Sequence, residues 1–171
     1  MLYDVQKKKP LWVIRRSLDR LTFHMQQQLQ QYARQEEMEL GTTMTVLAVW
    51  EKTFLVWHLG DSRLYRLYGG HMDRVTKDHI RQREQLTKCV GSFGYYTPDH
   101  HMGVLRRGEG ILLCSDGFRH CVTREELREV FAPGRIREEA QIERRLLEIG
   151  EACMKRGEQD NLSAVYIKAE R

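Results

Sequence analysis

Two aspartates stand at the ends of apolar segments that have the composition of buried strands. Asp116 lies in the run ILLCSDG at residues 111–117, and Asp160 opens the run DNLSAVYIK at residues 160–168. A carboxylate in such a position lies at the rim of a sheet, where oxygen ligands can hold a hard divalent cation. The pattern predicts a shared metal centre. The competing interpretation is that both residues form turns at strand ends, because Asp favours turns.

Other residues that could do chemistry have simpler interpretations. Adjacent residues of an extended segment point to opposite faces, so His100 and His101 favour a polar loop pair over a zinc site. Cys114 lies inside an apolar run and is interpreted as a small core residue, not a nucleophile. His58, within FLVWHL, is interpreted as a hydrogen-bonded core residue and not as a base.

Composition limits the class of protein. The chain has 171 residues, of which 41% are hydrophobic and 30% charged, which is typical of one globular domain over residues 1–171. The net charge of +4 is scattered, with no aromatic-studded basic stripe, so we expect no nucleic-acid binding. The longest apolar runs are too short to span a bilayer, so we expect no membrane partner. The N-terminus lacks the pattern of a signal peptide, so we expect a cytoplasmic location.

Helices are predicted at three places. Residues 11–36 form an amphipathic pattern, with the glutamines on the solvated side and the apolar residues on one face; these are Ile14, Leu18, Leu21, Met25, Leu29 and Tyr32. Thr123 and Glu126 form a capping-box pattern that predicts a short helix over 124–131. Residues 136–155 predict a second long helix.

Strands account for most of the remaining chain. Residues 43–51 and 53–59, joined by a turn at Glu51-Lys52, predict a hairpin with apolar side chains on both faces. Residues 62–68 and a short strand after Gly69-Gly70 extend it to an antiparallel meander. Residues 111–115 and 162–168 predict two more strands. Between these groups, we expect a partly helical segment at 78–90 and a loop at 91–103.

Five short motifs occur in a fixed order along these elements. They are GTT at 41–43, GDSRLY at 60–65, TKDH at 76–79, LLCSDG at 112–117 and DNLSAV at 160–165. Each is weak alone, but in this order they resemble the metal-dependent protein serine/threonine phosphatases of type 2C. The resemblance covers nearly all of the chain from about residue 18.

The resemblance implies a fold, a cofactor and a reaction. The implied fold is α+β, with two antiparallel sheets packed as a sandwich and flanked by helices. The family holds two manganese or magnesium ions, and a water between them hydrolyses phosphoserine or phosphothreonine. By match to the motifs, Asp116 and Asp160 are metal ligands, and Asp78 is a ligand of a weaker third ion. The alternative for Asp78 is the N-cap of a helix over 79–88.

The motif GDSR is interpreted as structural. It comprises Gly60, Asp61, Ser62 and Arg63, and an ion pair between Asp61 and Arg63 is expected to fix a turn. The family's DGxGG and Asn-Glu-Asp motifs are not found, so the match corresponds to a C-terminal portion of the domain. The sequence therefore lacks the ligand that bridges both ions in the family.

Two functions follow from this comparison. One is a phosphoprotein phosphatase with a phosphoprotein substrate, a cognate serine/threonine kinase as a partner, and activity that depends on a complementing N-terminal segment. The alternative is a non-catalytic phosphatase-like module that binds a phosphoprotein or partner. A third hypothesis is a truncated product without function, in which uncovered sheet edges and apolar helix faces promote self-association.

Overall fold

Two antiparallel sheets form the centre of the molecule. The computed structural model describes residues 11–81, 85–92 and 97–170. The N-terminal segment that was searched for a signal-peptide pattern lies mainly in residues 1–10, outside the described residues. Strands β1 to β9 comprise Met44–Trp50, Thr53–Leu59, Arg63–Tyr68, His71–Arg74, Ile80–Arg81, Gln85–Leu86, Asp99–Val104, Gly110–Cys114 and Ala164–Lys168. The strand order is β1-β2-β7 in the first sheet and β4-β3-β8-β9 in the second, while β5 and β6 form a separate pair.

Helices cover the outer faces of both sheets. Helix α1 comprises Leu11–Gln35, and helices α2 to α4 comprise Gly117–His120, Arg124–Val130 and Glu139–Lys155. The capping box predicted before α3 is present, with the Thr123 and Glu126 side chains each accepting from the other's backbone N–H. The α+β sandwich predicted from the sequence is therefore confirmed. None of the helices in the described part of the chain is long and apolar enough to cross a bilayer.

The core has two layers. Between the sheets, Phe54 and Val56 of β2 pack with Leu64 of β3 and Ile111 of β8. On the other face of the second sheet, a larger cluster joins the strands to helices α2, α3 and α4 around Phe131 and Cys153. The face of α4 predicted from its apolar spacing is the face that enters this cluster, since Ile149 and Cys153 are buried.

The predicted meander is wrong at its centre. Both hairpins form, with Trp50 opposite Thr53 and Tyr68 opposite His71. However, β2 pairs with β7 and β3 pairs with β8, so the chain leaves one sheet and enters the other between β2 and β3. Gly60 makes this crossover with φ +112. The partners β7 and β8 are distant in sequence, so local turn signals could not reveal them.

The contact face of α1 also differs from the prediction. The buried residues of α1 are Thr22, Gln26 and Ala33, whereas Leu21 and Tyr32 are 51% and 52% exposed. Gln26 Oε1 accepts from the buried Gly91 N–H at 2.7 Å. Apolar spacing placed the glutamines on the solvated side of the helix. In the structure, Gln26 is buried and pairs with the backbone of a loop, because a buried backbone N–H needs a hydrogen-bond partner.

Two segments that lie between β4 and β8 in the sequence were predicted wrongly. No helix occurs in the described parts of 78–90, and the short strands β5 and β6 lie there instead. The predicted loop at 91–103 contains β7 from Asp99 onward. The segment DHHMGV carries polar residues and a glycine and shows no alternation of apolar and polar residues, so it did not resemble a strand. Residues 82–84 and 93–96 lie outside the described residues.

Candidate metal centre

The pairing of β8 with β9 brings the two aspartates predicted as ligands to one rim. Cys114 pairs with Ala164, and the Ser115 N–H donates to the Ser163 carbonyl at 2.9 Å just beyond the strands. A Cβ added to Gly117 would lie 3.2 Å from Asp160 Cβ. The SDG and DN segments are therefore in van der Waals contact. Only glycine leaves room for them to approach this closely.

Each of these carboxylates uses one oxygen locally. Asp116 Oδ1 accepts from the Gly117 N–H at 2.9 Å at the start of α2, and Asp160 Oδ1 accepts from the Asn161 N–H at 2.7 Å. Among the residues that the structure describes, no protein donor reaches the second oxygen of either side chain. These local bonds orient the carboxylates and leave an oxygen on each for a cation. The turn-forming interpretation is thus compatible with a metal role.

Asp61 is a third carboxylate at the same rim. Burial and the neighbouring charge of Asp116 raise the pKa of Asp61 above its usual value. The carboxylates of Asp61 and Asp116 are therefore close enough to repel each other, which is the situation that a bound cation relieves. Sequence reasoning assigned Asp61 to a structural motif. The signal for a ligand was its position directly after an apolar strand, as with Asp116.

Arg63 forms its ion pair with Asp78 and not with Asp61, which corrects the predicted pairing within GDSR. Arg63 Nε lies 3.0 Å from Asp78 Oδ1, and Arg63 Nη2 lies 2.6 Å from Asp78 Oδ2. Arg74 Nη1 is 3.4 Å from the same Oδ2. Burial alone would raise the pKa of Asp78, but the hydrogen bonds and charge of Arg63 outweigh burial and lower it.

This ion pair bears on both interpretations of Asp78. The N-cap interpretation is wrong, because the described residues after Asp78 form no helix. Arg63 contacts both carboxylate oxygens, so it occupies the atoms that a third ion would need. For Asp61, in contrast, the charge of Asp116 is the second cause, after burial, that raises the pKa.

Arg119 is a basic residue that the sequence analysis did not single out. It lies on α2, and its backbone N–H donates to the Asp116 carbonyl at 2.9 Å. Its Nη2 donates to the Asp61 carbonyl at 3.4 Å, and its Nε is buried with no hydrogen-bond partner in the described structure. The guanidinium therefore reaches from α2 to the crossover that carries Asp61.

A groove of about 330 Å³ is lined by residues of β1, β8 and β9 and of the segments next to these strands. It lies between the start of β1 and the start of β9, and hydroxyl groups line much of it; these belong to Thr43, Thr45, Ser62, Ser115 and Ser163. Ser62 follows Asp61, and Ser115 precedes Asp116. Two residues of the groove are thus sequence neighbours of candidate ligands, and the Ser115 hydroxyl already donates to the Asn161 carbonyl.

A buried histidine pair supports the crossover. The Gly60 N–H donates to His79 Nδ1 at 3.1 Å, and His79 Nε2 lies 3.0 Å from Asp99 Oδ2. His58 stacks on His79 with 5.0 Å between ring centroids and hydrogen-bonds to Thr45. His58 is thus the hydrogen-bonded core residue predicted. This network fixes the backbone immediately before Asp61.

The remaining predicted side chains lie as follows. Cys114 is buried, and burial raises the pKa of its thiol to about 12, so the thiol stays protonated near neutral pH. His100 and His101 lie on β7 and not in a loop. His100 Nε2 is 3.1 Å from Asp19 Oδ1 on α1, whereas His101 Nε2 is buried without a hydrogen-bond partner among the described residues. The two rings face different neighbours, as alternation along a strand requires.

The donor set fits a divalent cation in type but not in number. Carboxylate oxygens are the ligands that manganese and magnesium prefer. However, the described residues contain no group of three or more His, Cys, Asp or Glu side chains placed to hold a metal ion. Asp61, Asp116 and Asp160 therefore represent part of a centre and not a complete one.

A protein-family model and several known proteins match this chain. The family model described as "Protein phosphatase 2C" matches residues 5–154. Protein phosphatase PhpP of Streptococcus pneumoniae is 26% identical over 110 residues, which cover 53% of this chain and 45% of PhpP. Serine/threonine protein phosphatase PstP of Mycobacterium tuberculosis is 29% identical over 156 residues, which cover 78% of this chain and 29% of PstP.

Solved structures give the same result. The serine/threonine phosphatase of S. agalactiae superposes with a TM-score of 0.85 over 95% of this chain and 74% of that chain, at 18% identity, which shows the shared fold. The catalytic domain of PstP in complex with two manganese ions has a TM-score of 0.69 and 26% identity over 82% of this chain and 65% of that chain. The chain spans about half the length, or less, of the curated relatives that it matches.

Proposed function

Because the chain belongs to the protein phosphatase 2C family, we propose that it takes part in the metal-dependent hydrolysis of phosphoserine and phosphothreonine in proteins. The observation that carries this proposal is the contact between the SDG and DN segments, which places Asp116 beside Asp160 at the rim. Asp61 adds a third carboxylate from the crossover. The manganese ions bound to PstP support manganese as the cofactor, with magnesium as the alternative.

The described residues define what this chain contributes. Asp116 and Asp160 each present one carboxylate oxygen to a cation, while Gly117 keeps their backbones close. A divalent ion bound here would supply an activated water and neutralise phosphoryl charge. Further carboxylates are needed to complete its coordination, so we propose a complementing acidic segment as a partner.

The remaining parts of the proposal concern partners and place. The substrate is a protein phosphorylated on serine or threonine, and the opposing enzyme is a serine/threonine kinase. A cytoplasmic location agrees with the helices of the described residues, among which none meets the length and apolarity of a membrane span. Serine/threonine phosphatase names among the relatives support this assignment of substrate class.

The test is hydrolysis of para-nitrophenyl phosphate and of a phosphothreonine peptide by the full chain with added manganese. We expect turnover that manganese stimulates and that falls at least about 100-fold in Asp116→Asn, because a carboxylate ligand is lost. Asp73→Asn is the matched control, since Asp73 is exposed on β4. Turnover that is the same in Asp116→Asn and wild type would refute this role for Asp116.

A non-catalytic module is the second candidate. The observation that favours it is that the described residues contain no group of three or more His, Cys, Asp or Glu side chains placed to hold a metal ion. In that case, the chain binds the phosphothreonine peptide, and manganese produces no turnover at any concentration tested. Equilibrium binding of the peptide, measured by fluorescence anisotropy beside the hydrolysis assay, separates the two functions.

A further inference from the structure

Strand β1 differs from the other strands at the edges of the two sheets. These edge strands are β1 and β7 in the first sheet and β4 and β9 in the second. Charged residues, which protect an exposed edge from pairing with another chain, lie on β7 (Asp99), β4 (Asp73 and Arg74) and β9 (Lys168). Among the described edge strands, β1 is the only one without a charged residue, since its sequence is MTVLAVW.

The free side of β1 is also open to solvent. All seven residues of β1 pair with β2, yet each keeps some exposure, and Val49 is 42% exposed. In β2, by contrast, six of the seven residues are buried. No strand in the described parts of the chain pairs with the other side of β1. The backbone N–H and C=O groups on that side can therefore pair with a further strand.

Helix α1 directs an apolar stripe to the same side of the molecule. Trp57 Nε1 of β2 donates to Asp19, and the Thr22 hydroxyl contacts Met44 of β1. Rotation about the helix axis from Asp19 to Thr22, about 60° at 3.6 residues per turn, therefore runs from β2 towards β1. The same rotation, continued to about 100–160° from Asp19, reaches the residues that we call the apolar flank, namely Ile14, Leu18, Leu21 and Met25.

The apolar flank lies beside the edge of β1 and not on the sheet. Leu21 is 51% exposed, and the other three residues of the flank are half-buried. The next residues around the helix are Ser17, His24 and Gln28, so no Asp, Glu, Lys or Arg borders the flank on its outer side. Depletion of charged residues is typical of the core of a protein interface.

This pattern of charge suits a second copy of the same chain. Each copy carries a net charge of +4, so two copies can meet closely only where like charges do not face each other. The apolar flank and β1 meet that condition together. Another partner would have to supply both a strand and an apolar helix in the same relation, whereas a second copy already has them.

We propose that two copies of this chain form a two-fold symmetric dimer through this surface, in which β1 pairs antiparallel with β1 of the second copy. A two-fold axis perpendicular to the sheet relates the two strands of such a pair, so α1 of both copies lies on the same side of the joined sheet. Each apolar flank is directed past its own β1 edge, so the two flanks face each other across the junction. One symmetry operation therefore covers both the free edge and the apolar flank.

The experiment is sedimentation velocity of the full chain from micromolar to millimolar concentration. We expect a monomer–dimer equilibrium with a limiting mass of twice 20.3 kDa. Leu21→Glu places a charge in the apolar flank, and Val49→Lys places one on the β1 edge. Each should weaken association at least about tenfold, because two like charges are brought together in the dimer.

The matched controls place the same charges on other exposed apolar residues. Leu147→Glu alters a residue of α4 that is 62% exposed, and Met102→Lys alters a residue of the opposite edge strand β7 that is 73% exposed. Both should associate like wild type. If Leu21→Glu does not fold by circular dichroism, the neutral variant Leu21→Gln takes its place and should also weaken association.

Hydrogen–deuterium exchange locates the contact. Amides of β1 should exchange more slowly at high concentration than at low concentration, whereas exchange of β7 should not depend on concentration. A chain that stays monomeric throughout would leave this face to another partner, such as the complementing segment proposed above, and would overturn the proposal. Open-ended association beyond a dimer, or a dimer that folded Leu21 and Val49 variants do not weaken, would also overturn it.

The inference goes beyond the proposed phosphatase function and does not depend on it, because none of the candidate metal ligands lies on β1 or α1. A dimer without manganese-stimulated turnover would support the interface and count against catalysis. Turnover by a strictly monomeric chain would support catalysis and refute the interface.

Discussion

The ion pair between Arg63 and Asp78 gives the sharpest prediction about this fold. Asp78→Asn removes the negative charge and leaves Arg63 facing a neutral amide. The Asp78 side chain is 8% exposed and the Arg63 side chain is 24% exposed, so water replaces the lost partner poorly. Two N–H groups of Arg63, at 3.0 Å and 2.6 Å, lose their charged acceptors together. We therefore expect a large loss of stability.

The magnitude follows from the burial of the pair. Removal of one partner from a buried ion pair costs about 3–5 kcal/mol, because the other charge is left uncompensated. Arg63 keeps some contact with water, so we expect the lower end, about 3 kcal/mol. For a chain of this length, that corresponds to a decrease in melting temperature of roughly 6–12 °C. Arg74, at 3.4 Å from Asp78, would lose a weaker contact as well.

The assay is urea unfolding followed by circular dichroism at pH 7. Glu148→Gln is the matched control, because it removes a carboxylate that is 59% exposed and paired with Arg144. We expect the control to change the free energy of unfolding by less than about 0.5 kcal/mol. The double variant Arg63→Met/Asp78→Leu should recover most of the loss, since the only charge left without its partner is that of Arg74, whose side chain is 40% exposed. A loss below about 0.5 kcal/mol in Asp78→Asn would refute the reasoning.

The same pair has a dependence on pH. Since the pKa of Asp78 is lowered in the folded state, its contribution is present above the ordinary pKa of an aspartate. The contribution is lost as the pH falls through the lowered value. Stability measured from pH 6 downward should therefore fall less steeply in Asp78→Asn than in wild type. Equal slopes would count against a paired Asp78.

Three other predictions test separate contacts. Gln26→Ala should cost about 1–3 kcal/mol in urea unfolding, because it leaves the buried Gly91 N–H without its acceptor. Burial and the charge of His79 lower the pKa of His58, so the free energy of unfolding should fall as the pH drops below about 6.5, and this slope should flatten in His58→Gln. Gly117→Ala should weaken manganese binding in calorimetry, because the added methyl would lie 2.8 Å from the Asn161 carbonyl oxygen and separate the two ligand segments.

Each of these variants has a control in the same chain. Gln27→Ala alters an exposed glutamine of α1 and should leave stability within about 0.5 kcal/mol of wild type. Gly134→Ala adds a methyl where nothing lies within 4 Å, so it should leave manganese binding unchanged. For His58→Gln, the reference is the slope of the wild type at pH 8 to 9, well above the ordinary pKa of a histidine. If a variant and its control gave the same measured value, the contact that the variant tests would be contradicted.

Local signals in the sequence were sufficient for most elements. Apolar spacing located α1 and α4, turn residues located the hairpins β1–β2 and β3–β4, and the capping box located the start of α3. These features depend on residues within a few positions of one another, so the chain encodes them directly. The motifs SDG and DN could also be recognised in the sequence, because each joins a strand to a carboxylate within a few residues.

The sequence did not show which segments far apart in the chain contact each other. The crossover at Gly60, the pairing of β2 with β7, and the burial of Gln26 under the loop at Gly91 all depend on residues far apart in sequence. The segments 78–90 and 91–103 carry polar residues whose partners are equally distant. Their strands β5, β6 and β7 therefore resembled helix or loop.

The acidic rim shows the same division. The sequence alone determined that Asp116 follows one apolar strand and Asp160 precedes another, and the order of the motifs indicated the family. The tertiary structure decided which charges meet. It pairs Arg63 with Asp78, and it brings Asp61 to the same rim as Asp116, where Arg119 Nη2 lies 3.4 Å from the Asp61 carbonyl oxygen. Charges interact through space and not along the chain, so only the packing of β3, β8 and α2 could determine those partners.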